Sequence, residues 1–270
     1  MRQIAIFLGL LLFSLTLGLY PHAKAEDKGF DHTHPAWTTF LQKHVRIKGP
    51  ASTVEYKSIK SDPKELKNYL GTLEAVTQSE FAKFSEQEKL AFLINAYNAF
   101  TIKLIVDRYP LKSIKDAGTR SLSNLASNPW KTKFFKLLGK EQHLDNVEHD
   151  MIRKLFNEPR IHFAVVCASI GCPALRNEAF QASQINRQLE EAATSFLSDT
   201  TRNRYVPDTK KLELSSIFKW YGDDFTKKHG SLVAFIAPRI TTNPEYQKII
   251  QDKKAEISYL DYDWSLNEEK

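Results

Sequence analysis

The sequence predicts an α+β fold: a single domain in which a long buried central helix packs against a small, mostly antiparallel sheet. Three observations support this prediction. One long stretch is apolar on all of its faces, short strand patterns flank tight turns, and helical and strand-like segments do not alternate as regular βαβ units. No stretch marks a second domain, so we expect residues 26–270 to form one domain.

The central helix is predicted over Leu90–Tyr109, where apolar residues occur on every side. A helix that is hydrophobic all round is buried all round. Ser85 and Glu88 form a Ser-x-x-Glu capping box that predicts where the helix begins. Pro110 cannot continue the helix and therefore predicts where it ends.

Two amides interrupt this apolar helix. Asn95 and Asn98 are three residues apart and therefore lie on one face. A buried amide without hydrogen bonds costs about 1–3 kcal/mol, so both side chains need polar partners. They either tie loops to the core or line a site, and the sequence leaves both roles open.

Further elements follow from local periodicity and turn residues. Helices are predicted at residues 37–45, 63–73, 79–84, 111–117, 145–156, 174–180, 183–197 and 231–240. Strands are predicted at residues 53–59, 133–138, 142–144, 161–166, 204–206, 211–214 and 257–264. Residues 118–129 are small and polar and predict a loop.

The N-terminus resembles a cleaved secretory signal peptide, which we predict over residues 1–25. Arg2 precedes the apolar run Ile4–Leu19, and Ala23-Lys24-Ala25 fits the small-x-small cleavage rule, with cleavage after Ala25. The apolar run is shorter than a typical membrane span of about 20 residues. We therefore expect a periplasmic or secreted protein with no stable membrane span after cleavage.

The charge pattern bears on the partners. The formal net charge of +6 is spread along the chain without a basic block, which favours a solvated surface over nucleic-acid binding. We therefore expect no nucleic-acid partner and a small molecule or a peptide as ligand. We expect no metal and no cofactor, because a metal site built from cysteine alone needs more than the two cysteines of this chain.

The strongest local signal for chemistry is Gly171-Cys172-Pro173, which follows an apolar run. Proline favours the first position of a helix, so Cys172 is predicted to cap a helix over residues 174–180. A thiol at a helix N-terminus has a lowered pKa, and the thiolate is the nucleophile. Cys167, at the end of the apolar run, lies in surroundings that disfavour a thiolate.

A nucleophilic cysteine needs a base and a group that orients the base. His149 is the predicted base, because it lies on a predicted helix that precedes the cysteines in the chain, and Glu148 is the residue next to it. Asn98 or Glu148 is the predicted orienting residue. Asn95, Tyr221 and Asp223 are assigned to substrate binding. His162 is interpreted as a half-buried strand residue.

Three alternatives remain open for these residues. Cys167 and Cys172 are candidates for a structural disulfide, because thiol pairs outside the cytosol often oxidise. A redox role lacks the βαβ context expected of a thioredoxin-like motif. A metal-dependent hydrolase would use His149, Glu148 and Asp223 or Asp224.

Four sequence blocks resemble, in order, the domain of unknown function 547. They are NAYNAF at Asn95–Phe100, LDNVEHDMIR at Leu144–Arg153, HFAVVCASIGCPAL at His162–Leu175 and WYGDDF at Trp220–Phe225. The resemblance covers about residues 79–225. The family occurs in exported bacterial proteins and inside larger plant proteins, and it brings no established reaction. The resemblance implies that Asn98, Glu148, His149, Cys167 and Cys172 occupy signature positions.

The leading functional hypothesis is an exported cysteine–histidine hydrolase or acyl or amide transferase. Cys172 would be the nucleophile and His149 the general base. The alternative is a non-catalytic envelope module that binds a small ligand or a protein, in which a Cys167–Cys172 disulfide is structural.

Overall fold

The computed structural model of the chain describes residues 29–118 and 128–269 and confirms the α+β class. The predicted signal peptide and most of the predicted 118–129 loop lie outside these residues. The helices are α1 Pro35–His44, α2 Tyr56–Ser61, α3 Lys64–Ala75, α4 Gln78–Lys83, α5 Glu86–Arg108, α6 Arg153–Leu155, α7 Ile185–Leu197, α8 Ile217–His229, α9 Leu232–Ile240 and α10 Pro244–Gln251. A π-helix, Asn146–Ile152, runs directly into α6. The strands are β1 Val45–Lys48, β2 Ala51–Val54, β3 Phe135–Leu137, β4 Lys140–Gln142, β5 Arg204–Val206, β6 Lys211–Ser215 and β7 Glu256–Leu260.

Helix α5 is the buried centre of the fold, as its sequence predicts. The Ser85 hydroxyl accepts from the Glu88 N–H, and the Glu88 carboxylate accepts from the Ser85 N–H, which completes the capping box. In the described part of the chain, α5 is the one helix long and apolar enough to cross a membrane, and its side chains are largely buried inside the protein. It packs on α2, α3 and the π-helix, and its Phe100 ring stacks on Phe135 of β3 at 3.8 Å between centroids.

The strands form three small sheets rather than one. β1 pairs with β2, and β3 pairs with β4, each as an antiparallel hairpin. In the third sheet β5 pairs antiparallel with β6, and β6 pairs parallel with β7. The predicted hairpins at residues 133–144 and 204–214 are therefore confirmed.

Both interior amides of α5 tie irregular backbone to the core. Asn98 donates to the Ala164 carbonyl at 2.8 Å and accepts from the Val166 N–H at 2.9 Å. Asn95 makes the same pair of bonds to the carbonyl and N–H of Phe180, at 2.8 and 3.0 Å. Each amide thus satisfies backbone groups that would otherwise be buried and unpaired.

These amide bonds correct two predictions. Residues 161–166 do not form a strand: Pro159–Phe163 is a 3₁₀-helix, and Asn98 supplies the hydrogen bonds that a neighbouring strand would have made. Residues 174–180 do not form a helix, and both backbone polar groups of Phe180 bond to the Asn95 amide instead. The predicted strand at residues 53–59 also ends early, at Val54, where α2 follows.

Replacement of Asn98 by alanine is expected to lower the free energy of unfolding by about 2–4 kcal/mol, because two buried backbone groups lose their partners. Urea denaturation measures the effect. Asn157→Ala, at an exposed position, is the control and should change little. Equal stabilities of the two variants would contradict the structural role of Asn98.

The described residues contain two hydrophobic clusters. One surrounds α5, and the other gathers Phe163, Phe196, Phe225 and Phe235 with α8 and α9. Tyr262, after β7, packs against both clusters. The candidate functional site lies where these clusters meet.

Candidate functional site

A pocket of about 240 Å³ lies between the two clusters. It combines both cysteines, two histidines, two carboxylates and several aromatic rings. Its lining residues are Tyr97, Asn128, Trp130, Asp145, Glu148, His149, His162, Val165, Cys167, Cys172, Pro173, Ile217, Trp220, Tyr221, Tyr262 and Trp264. The structure therefore brings Cys172, His149, Glu148 and Tyr221 of the predicted site to one pocket.

The π-helix carries Glu148 and His149 into the pocket. It begins after Asp145, and the N–H of Arg153 bonds to the carbonyl of Glu148 five residues earlier. The Asp145 side chain does not cap this helix; the N–H of Asn146 bonds to the His143 ring at 3.0 Å instead. Single π-helical turns are frequent at functional sites, since they rotate side chains out of α-helical register.

Both ring nitrogens of His149 already have partners. Its Nδ1 lies 3.0 Å from the Arg153 guanidinium, and its Nε2 lies 3.3 Å from the Asp145 carboxylate. Because a guanidinium only donates, Nδ1 accepts and the ring proton is on Nε2, facing Asp145. His149 would have to lose one of these two contacts before it could take a proton from a thiol.

Glu148 is buried among tyrosines. Its carboxylate accepts from the Tyr221 hydroxyl at 2.8 Å. Burial, followed by the charge of Glu148, raises the pKa of Tyr97 well above its usual value. The same two causes raise the pKa of Tyr221, so both phenols remain protonated donors. Glu148 therefore lies on the pocket wall beside the hydroxyl group of Tyr221.

The sulfurs of Cys167 and Cys172 lie at disulfide-bonding distance from each other, with their Cα atoms 6.3 Å apart. Cys172 Sγ accepts from the backbone N–H of Cys167 at 3.0 Å, from the Tyr262 hydroxyl at 3.1 Å and from the Ser169 hydroxyl at 3.4 Å. Burial raises the pKa of Tyr262, which keeps this hydroxyl protonated. When the pair is reduced, these donors stabilise a thiolate at Cys172 in place of the helix dipole that the sequence suggested.

The C-terminal segment holds the cysteine loop in place. Ile170 and Gly171 donate their N–H groups to the carbonyls of Ser265 and Asp263, both at 2.8 Å. A Cβ on Gly171 would lie 3.0 Å from the Asp263 carbonyl and from the Tyr262 ring. Glycine is required here by the close approach of two backbones, which also places the Tyr262 hydroxyl beside both sulfurs.

A second histidine on the pocket wall, His162, was not predicted as a site residue. It is almost fully buried, its Nε2 lies 2.8 Å from the Asp224 carboxylate, and its ring stacks on Tyr221 at 3.9 Å between centroids. Among the described residues its Nδ1 has no hydrogen-bond partner. Because Nε2 donates to Asp224, Nδ1 is the unprotonated nitrogen and is free to accept a proton.

Asp224 is held between two partners. The Arg153 guanidinium donates to both of its oxygens, at 2.7 and 2.9 Å, in a bidentate pair. The hydrogen bond from His162 and this pair together keep the pKa of Asp224 far below its usual range. Asp224 is therefore an ionised carboxylate that fixes the tautomer of His162. In the sequence, the feature that could have identified Asp224 as a site residue is its place in the WYGDDF block.

Three predicted site residues do not lie in the pocket lining. The side-chain amides of Asn95 and Asn98 hydrogen-bond to backbone groups through both their nitrogen and their oxygen, so neither orients His149. Asp223, predicted to bind substrate, is exposed, and its neighbour Asp224 points to His162 instead. Across residues 29–118 and 128–269, no group of three or more His, Cys, Asp or Glu side chains is arranged to hold a metal ion.

The burial of His162 predicts a pH dependence of stability. Burial lowers the pKa of His162 below 6.5, against the opposing pull of Asp224. The unfolded chain then binds the proton more readily, so the free energy of unfolding falls as pH drops below about 6.5. His162→Gln should reduce this slope between pH 7.5 and 5.5 by up to about 1.4 kcal/mol per pH unit, as measured by urea denaturation. Equal slopes would contradict a neutral buried His162.

The fold and the pocket define an α+β protein with a cysteine pair and a carboxylate-bound histidine at one cavity. A family model described as "Protein of unknown function, DUF547" matches residues 81–197, so this part of the chain is similar to that family. The match includes His149, His162 and both cysteines and ends before the Trp220–Phe225 block and Tyr262. Comparisons with curated proteins and with solved structures found no match.

Proposed function

We propose that this pocket is the centre of a thiol-dependent acyl or amide hydrolase or transferase. Cys172 is the nucleophile, His162 is the general base, and Asp224 orients the base. The observation that supports this assignment is the free Nδ1 of His162, on a ring that Asp224 fixes, in the pocket that Cys172 also lines. A nucleophile, a base and an orienting carboxylate are the groups that covalent acyl transfer requires.

In the first half of the reaction, His162 Nδ1 takes the proton of the Cys172 thiol. The thiolate attacks the carbonyl carbon of the substrate, and the leaving group takes a proton from the imidazolium as a thioester forms. In the second half, His162 takes a proton from water or from another acceptor, which attacks the thioester and breaks its C–S bond, and the imidazolium returns the proton to the departing Cys172 sulfur. Asp224 remains ionised throughout and stabilises the transient imidazolium.

His162 replaces His149 in the role of base on two grounds. Burial lowers the pKa of His162, so its ring is neutral and able to accept a proton at pH 7. His149, by contrast, has contacts at both nitrogens, to Arg153 and Asp145. His149 and Glu148 then line the pocket without taking part in the proton transfer.

The alternative is a non-catalytic envelope module with a structural disulfide. The disulfide-bonding distance between Cys167 and Cys172 favours it. In that case the pocket binds a ligand, and Cys172 stays unreactive until the protein unfolds.

The test uses p-nitrophenyl acetate on the purified chain after mild reduction with dithiothreitol and removal of the reductant. We expect a burst of p-nitrophenolate and an acetyl group that peptide mass spectrometry maps to Cys172. Cys167→Ala, which cannot form the disulfide, should react without prior reduction. Cys172→Ala should show neither the burst nor the adduct.

Two outcomes would overturn the proposal. In the first, reduced protein with both thiols titratable by Ellman's reagent gives no acetyl-Cys172. In the second, p-nitrophenyl acetate acetylates Cys172 only when the protein is unfolded by denaturant. That outcome supports the structural disulfide and the binding module.

A further inference from the structure

We infer that the substrate of this pocket carries an organic ammonium group next to the acyl group that Cys172 attacks. The inference names a substrate class for the proposed function and therefore rests on it. Aromatic rings, carboxylates and the size of the pocket support it independently of the cysteine chemistry.

Four aromatic rings form one wall of the pocket, which we call the aromatic wall: Trp130, Trp220, Tyr262 and Trp264. Neighbouring rings are 4.6 to 5.8 Å apart between centroids, so the wall is continuous. Trp220 is 46% exposed, although large aromatic side chains are normally buried. The faces of such rings attract cations, and tryptophan attracts them best.

A cation of the chain itself already contacts this wall. Lys115 places its ammonium 4.0 Å from the ring centroid of Trp264. A ligand ammonium would therefore use Trp220 and Tyr262, since Lys115 occupies one face of Trp264. Tyr221 is not available in the same way, because His162 stacks on its ring and the Arg153 guanidinium lies 5.1 Å from its centroid.

The charges of the pocket lining have the sign that an ammonium requires. Asp145 and Glu148 both line the pocket, and none of its described lining residues is lysine or arginine. Two guanidinium groups adjoin lining residues, and both are paired with carboxylates: Arg153 with Asp224, and Arg202 with Asp199. A carboxylate-bearing ligand would meet Asp145 and Glu148, and no lysine or arginine of the described lining would balance its charge, so the pocket selects against it.

The volume of the pocket and the position of His162 limit how far the ammonium can lie from the reacting acyl group. A volume of about 240 Å³ holds about eight waters at about 30 Å³ each, which suits one compact ligand group. His162, whose buried Nδ1 has no partner in the described chain, lines the same pocket as the sulfurs. An acyl group at Cys172 and an ammonium at the aromatic wall therefore fit within one small substrate.

The test is a tryptophan-fluorescence titration of the full chain carrying Cys172→Ala, so that binding is measured without reaction. Three of the four tryptophans line the pocket, and Trp37 is buried elsewhere. The probes are n-butylammonium, n-butanol and butyrate at constant ionic strength. We expect quenching by n-butylammonium with a Kd at least tenfold below that of the other two probes.

Substitutions that remove one carboxylate charge show which residues bind the n-butylammonium ion. Glu148→Gln and Asp145→Asn should each weaken n-butylammonium binding about three- to tenfold, whereas Glu141→Gln, at an exposed position, should leave it unchanged. Equal binding of the three probes, or no quenching by n-butylammonium, would overturn the inference. Because the thiol is absent, this result is independent of whether Cys172 acetylates in the test of the proposed function.

Discussion

Asp224→Asn is expected to slow the acetylation of reduced Cys172 about 10²-fold at pH 7, which is the usual contribution of a positioned general base. Asp224 accepts the Nε2–H of His162 and thereby keeps Nδ1 unprotonated. An asparagine can donate its N–H to Nε2, and the ring then carries its proton on Nδ1, facing the wrong way. Stopped-flow release of p-nitrophenolate measures the rate.

The neighbouring aspartate provides a matched control. Asp223→Asn makes the same chemical change at an exposed position one residue away and should leave the rate within about twofold of the parent. Urea denaturation of both variants separates a lost orienting group from a lost fold, because Asp224 also pairs with Arg153. Equal rates for folded Asp224→Asn and Asp223→Asn would remove Asp224 from the mechanism.

Arg202→Ala is expected to cost about 3–5 kcal/mol of the free energy of unfolding, the range for breaking a buried ion pair. Arg202 pairs with Asp199 at 2.5 Å, and both side chains are nearly buried. Its guanidinium also donates to the carbonyls of Cys172 and Pro50, so it joins the cysteine loop to the β1–β2 hairpin. Without Arg202, the Asp199 carboxylate keeps its charge but has lost its arginine partner.

Arg204→Ala is the control for this prediction. Arg204 also pairs with a carboxylate, that of Glu213, but its side chain is 40% exposed, so the substitution should cost less than about 1 kcal/mol. Thermal and urea unfolding of both variants give the comparison. A loss for Arg202→Ala no greater than that for Arg204→Ala would show that the cysteine loop does not depend on this arginine.

Local signals in the sequence predicted much of the fold. The uninterrupted apolar pattern located α5, and the capping box at Ser85 marked its first turn. The hairpins were predictable because short alternating runs flank residues that favour turns. The helix predicted at residues 145–156 is present and buries Glu148, although most of it is a π-helix rather than an α-helix.

The errors arose where side chains replace secondary structure. An apolar β-branched run at residues 161–166 looks the same in sequence whether a strand or an asparagine satisfies its backbone. The missing helix after Cys172 follows from the same kind of bond, between Asn95 and Phe180. These partners are 66 to 85 residues apart, so no local pattern encodes them.

The proposed base differs from the residue that the sequence suggested for a related reason. In sequence His149 follows Glu148 on a predicted helix, whereas His162 stands alone in an apolar run. The carboxylate that orients His162 is 62 residues away, and the hydroxyl that reaches both sulfurs belongs to Tyr262, about 90 residues beyond them. Only the folded chain brings these groups to one pocket.

The central claim is that His162, not His149, activates Cys172. The most direct measurement is the pH-rate profile of Cys172 acetylation in reduced parent protein, His162→Gln and His149→Gln. We predict that His162→Gln loses about 10²-fold at pH 7, whereas His149→Gln keeps the profile of the parent. A loss confined to His149→Gln, with His162→Gln folded and reacting like the parent, would contradict the assignment.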